Sequence, residues 1–146
     1  MNFYLSWTML RLTLLLLSFP LLSLAQEIRS LKPVYQAGEH IQVFVDAEIL
    51  LDGSCGSRVP FWTLQVSDST GFNTLHSHTG PQMDCGLPFR RFTGETLLLF
   101  KTCRSKEEVL LSSYFPSLLI PPGQYRLLLY DRDNAPLPTE TFTVIP

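Results

Sequence analysis

Three places in the chain hold residue types able to do chemistry. The first is His76-Ser77-His78. Residues i and i+2 of a strand share a face, so both imidazoles are placed to meet one metal ion. A metal site needs further ligands, and only the distant Asp84 or His40 are available to supply them. The bland reading, two loop histidines in solvent, is preferred, and no metal is expected. The second is Asp131-Arg132-Asp133-Asn134. It offers oxygens to calcium, which takes six or more. The same residues are good turn formers, because Asp and Asn side chains bond their own backbone. The third is Gly53-Ser54-Cys55-Gly56, a serine and a thiol between glycines. No G-x-S-x-G pattern with strand-to-helix context surrounds it. Paired carboxylates for glycoside chemistry would have to be assembled from scattered Asp and Glu. The expectation is therefore a protein that is not an enzyme and has no cofactor.

Cysteine use points to a compartment. The chain has three cysteines, Cys55, Cys85 and Cys103. In an oxidising compartment two of them pair, and the sequence leaves all three pairings open. Cys85 with Cys103 is favoured because both lie in the loop-rich middle. The leftover thiol is expected to be buried as a small hydrophobe, or else to link two chains as a disulfide-bonded dimer.

The N-terminus agrees with that compartment. Arg11 precedes a run from Leu12 to Leu24 broken only by small residues and Pro20, and Ser23-Leu24-Ala25 precedes Gln26. A weakly basic start, a short apolar stretch and small residues at −3 and −1 describe a secretory signal peptide over 1–25. The alternative is an uncleaved anchor, but the run of about 14 residues falls short of the roughly 20 that span a bilayer. The mature chain, 26–146, is one domain of ordinary size, secreted or held in the lumen of the secretory pathway. With a formal charge of −2 and scattered basic residues, it lacks the basic stripe of a nucleic-acid binder. No stable membrane span is expected in the mature region.

The elements that must carry these residues read as strands. Ile41, Val43, Val45, Ala47 and Ile49 alternate with Gln42, Asp46 and Glu48 over His40 to Leu51, the period of a half-buried strand. Trp62, Leu64 and Val66 repeat the pattern, and 74–79 reads as a short edge strand. Leu97 to Phe100 is a continuous apolar run suited to a strand covered on both faces. Ser105 to Phe115 is ambiguous: Ser105 and Glu108 match a helix capping box, while Val109 to Tyr114 also reads as extended, which the all-β surroundings favour. Pro121-Pro122-Gly123 turns into a strand with Tyr125, Leu127 and Leu129 inward, and 139–145 returns with Phe142 and Val144 inward. The fold class is all-β: an immunoglobulin-like sandwich of about seven strands.

Apolar bulk exceeds what one core face needs. Phe44 falls on the polar face of its strand, and Leu128 and Tyr130 lie opposite their inward set. Surplus apolar residues mean a well-filled core or an exposed patch that meets a partner. The stretch Tyr114, Phe115, Leu118, Leu119 and Ile120 is the best candidate surface. The function expected is binding, to a protein partner through these apolar loops. The alternative is a lipid carrier.

Ile120-Pro121-Pro122-Gly123-Gln124-Tyr125, then Leu127 to Asp133, then Phe142-Thr143-Val144 resembles the end of the secreted lipid-recognition (ML) domains. Ile28 to Pro33, through Ala37-Gly38-Glu39, resembles their first strand and turn. The likeness covers about a quarter of the chain. The cysteines which that family carries in its last strand and near its mature N-terminus are missing here. The resemblance implies a sandwich whose splayed sheets hold an apolar ligand between them, without a fixed motif of site residues.

Overall fold

In the computed structural model the described residues are 26–53, 55, 57–80, 86, 88–109, 111 and 115–146. The expected signal peptide, together with Ser54, Gly56, Asp84, Cys85 and Tyr114, lies outside them. The alternating segments form strands: β1 (Glu27–Ser30), β2 (Val34–Gln36), β3 (His40–Asp46), β4 (Glu48–Leu50), β5 (Trp62–Asp68), β6 (Gly71–His78), β7 (Phe89–Arg91), β8 (Glu95–Thr102), β9 (Ser117–Leu118), β10 (Gly123–Tyr130), β11 (Pro136–Pro138) and β12 (Phe142–Ile145). One sheet runs β1-β3-β8-β9. The other runs β2-β12-β10-β5-β6, with β11 also on β10, and β4 pairs β7 separately. The sheets pack face to face as a β-sandwich. The expected inward set of β3 and β4, from Ile41 to Ile49, is fully buried, as are Trp62, Leu64, Tyr125, Leu127, Leu129 and Phe142. Trp62 of β5 stacks on Phe100 of β8 at 5.2 Å, a contact between the two sheets.

Four expectations need correction. The strand at His40–Leu51 breaks at Ala47, so that β3 pairs β8 while β4 pairs β7. The run Leu97 to Phe100 is not covered on both faces. Ile41 pairs Phe100 and Gln42 pairs Leu98, so Leu99 is an extra residue in β8. A bulge of this kind turns two successive side chains to the same side. Leu99 and Phe100 both enter the core, and Leu98 is left 45% exposed. The return strand begins at Phe142 rather than Thr139. Thr139 is buried, its Oγ1 accepts the Leu127 N–H at 3.0 Å, and its own N–H donates to Leu127 O at 2.8 Å.

The fourth correction concerns 105–115. Lys106–Glu108 form one 3₁₀ turn, with Ser105 at the cap position but no capping bond from its side chain. Glu108 Oε2 reaches back to accept the Arg104 backbone N–H at 2.9 Å. A carboxylate three residues into a turn bonds upstream donors in this way, and the bond holds the chain in a turn instead of a strand. Among the described residues no helix is long and apolar enough to cross a membrane.

Candidate functional site

The segment that sequence reasoning placed on the surface divides between core and rim. Leu118 (9% exposed) and Ile120 (7%) belong to the core, so neither offers the expected exposed face. The reason is β9: Lys101 N–H donates to Pro116 O at 3.0 Å and Cys103 N–H to Leu118 O at 2.9 Å, which lays the segment along β8. Phe115 is half-buried, its ring 5.6 Å from that of His40. Leu119 alone among the described members projects, at 43% exposed.

Leu119 leads into a groove. It holds about 460 Å³, and its walls are Leu119 to Pro122, Val144 to Pro146, Ala37, Cys103 and Arg104. Each wall is fixed by backbone chemistry. The Tyr125 hydroxyl, inside the core, donates to Pro121 O and pins the turn before β10. Burial pushes the Tyr125 phenol up, so it keeps the proton that makes this bond. Val144 pairs with Gly123, and Ala37 N–H donates to Ile145 O at 2.9 Å, tying the end of β12 to the β2–β3 turn. Prolines at 121 and 122 present no N–H to the groove. Ile145 is 38% exposed.

Arg104 is the cation of this lining. Its Nε donates to Ala37 O at 3.1 Å. Gly38 lies directly beneath it: φ is +96°, and a Cβ at that position would meet Arg104 Nε at 3.0 Å. Gly38 N–H donates to Thr102 Oγ1 at 2.9 Å, and Thr102 N–H to Glu39 O at 2.9 Å, so the turn and β8 hold each other. Among the described residues Arg104 forms no ion pair, whereas Arg29, Lys32, Arg90, Arg91 and Arg132 each meet a carboxylate. Arg104 is one of the scattered basic residues, and nothing in the sequence marks its approach to Ala37.

Cys103 is a free thiol at 1% exposed, which corrects the expected bridge from Cys85 to Cys103. The end of β8 places its sulfur inside the wall, where Sγ donates to Glu108 O at 3.5 Å. Burial first, then the charge of Glu108, pushes the thiol up from its ordinary value. A protonated, enclosed thiol is a poor nucleophile, and it is poorly placed to link two chains.

The chemistry-bearing candidates are placed otherwise than expected. His76 and His78 are not solvated loop residues. They share a face of β6, their ring centroids 5.5 and 5.2 Å from that of the buried Trp62. The Nε2 atom of His76 and the Nε1 atom of Trp62 are buried with no hydrogen-bond partner. Desolvation lowers the His76 pKa. His40 lies on β3 against Phe115 instead, and Asp84 is outside the described residues. No group of three or more His, Cys, Asp or Glu able to hold a metal occurs among the described residues. Asp131 Oδ1 is committed to its turn, accepting the N–H groups of Asp133 and Ala135 at 2.8 and 2.9 Å, while Asn134 sits at φ +61°.

A scan against family models finds no match to this chain. A search of curated proteins finds none similar to it.

Proposed function

We propose that the mature chain is a secreted, non-enzymatic binding module that engages a protein partner through the groove at Leu119–Pro122 and Val144–Pro146. The observation that supports this is an open groove of about 460 Å³ with two large exposed apolar side chains on it, Leu119 and Ile145. Water-facing apolar side chains gathered around a concavity mark a partner surface. The groove lining has no His, Asp or Glu to serve as a general base. The leader over 1–25 and the cysteines support export. With Cys103 free, Cys55 and Cys85 remain to form one bridge, as an oxidising compartment favours.

A lipid carrier with its ligand between splayed sheets, as the ML resemblance implies, fits less well. Side chains of both sheets fill the interior together, Trp62 stacked on Phe100 among them. Site-specific photo-crosslinking tests the proposal. A benzophenone side chain at position 119 gives a discrete adduct with a protein of the secretory milieu, and one at the outer-face position Thr96 does not. Equal adducts from both positions, or none from 119, would refute it.

A further inference from the structure

We infer that the groove receives an extended segment of a partner protein in which an apolar side chain stands next to an aspartate or glutamate. The apolar side chain lies on Leu119, Pro122 and Ile145, and the carboxylate meets Arg104. The inference rests on the groove being the partner surface and names what the partner presents.

Charge fixes the second half of that motif. Arg104 is the one Arg, Lys, His, Asp or Glu in the groove lining, which also takes in Cys103 and the last residue, Pro146, and it forms no ion pair among the described residues. Two carboxylates on the turns that flank it, Glu108 and Glu39, bond elsewhere. Glu108 Oε2 accepts the backbone N–H of Arg104 at 2.9 Å. Glu39 meets Lys32 at 2.8 Å and the Gln36 N–H at 2.9 Å. The guanidinium is also held in place, by its Nε bond to Ala37 O and by the close approach that Gly38 permits. Once Nε is spent, the two terminal nitrogens of the fork remain as donors. A guanidinium positioned before binding loses little freedom on meeting a carboxylate, which accepts two parallel bonds.

The openness of the groove decides between a peptide and an alkyl chain. An alkyl chain gains only from the area removed from water, and small-ligand sites cover most of their ligand. An open groove covers one side of its occupant. An extended peptide suits that geometry, because its exposed side keeps its backbone polar groups in water.

The test is selection from a phage-displayed random dodecapeptide library on the immobilised mature chain, with laurate as a second probe. Enriched peptides carry an apolar residue within two positions of Asp or Glu. Their affinity falls about tenfold on Arg104→Met, which keeps the apolar stem and removes the charge-assisted bonds. Arg104→Glu selects Lys or Arg in place of the acid. Leu119→Asp, a change at an exposed position that leaves the melting temperature unaltered, abolishes binding. Apolar peptides with no acidic preference would overturn the carboxylate motif and leave the groove as the partner surface. Peptides that bind Leu119→Asp equally well would overturn both. Laurate binding that depends on Arg104, with no peptide enriched, would make the occupant a lipid amphiphile and overturn the inference.

Discussion

At the scale of single residues, the informative positions are those where a polar atom is buried beside apolar neighbours. His76 packs on Trp62 with its Nε2 unpartnered, and desolvation lowers its pKa from the usual value of 6.5. The fold therefore favours the neutral ring. Unfolding takes up a proton between the lowered folded value and 6.5, so His76 destabilises the native state as pH falls through that window and has no effect above it. Denaturant titrations between pH 7.5 and 5 will show stability falling toward acid, with a shallower slope in His76→Gln. Identical slopes would count against the buried, unpartnered Nε2. Cys103 yields a second prediction. The native protein resists a thiol reagent that reacts promptly with the unfolded chain, and peptide mapping finds Cys55 joined to Cys85. A fast-reacting native thiol would place Cys103 at the surface, contrary to its burial. The sequence announced the histidine pair and the cysteine count. It was silent on their surroundings, because burial beside Trp62 depends on how β6 docks, and no local pattern encodes docking.

At the scale of elements, alternation gave the strands and long-range pairing set their limits. β3, β5 and β10 were legible because their inward residues recur with period two. The bulge at Leu99 was not, because a run of four apolar residues reads as double coverage unless the partner strand is known. The 3₁₀ turn at Lys106–Glu108 and the late start of β12 go with bonds to Arg104 and Leu127 that no hydrophobic period encodes. Of the expected surface residues, Leu119 remains exposed and Leu118 and Ile120 are lost to the core, where pairing of Ser117–Leu118 with β8 draws the segment onto the sandwich. The β2–β3 turn carries the prediction at this scale. Gly38→Ala places a Cβ at φ +96° and 3.0 Å from Arg104 Nε. The left-handed backbone alone costs about 1–2 kcal/mol, and Arg104 must also shift. Chemical denaturation will show that loss, and a variant as stable as the parent would contradict the turn geometry.

At the scale of the whole molecule, two sheets are joined through Trp62 and Phe100, and the segments at one end of the sandwich form the groove. The sandwich class followed from strand count and spacing. The groove did not, because it brings together residues from 37, 103–104, 119–122 and 144–146 that no single element contains. The interior supplies rigidity, and the surface function is assigned to the rim. Hydroxyl-radical footprinting of residues 26–146 tests that assignment most directly, comparing the isolated protein with the protein in conditioned medium, where the proposed export would place it. Protection confined to Leu119, Pro122 and Ile145, with the equally exposed Leu98 and Leu75 unchanged, is the predicted result. Protection at Leu98 or Leu75 with Leu119 still labelled would place the partner on another face and contradict the account.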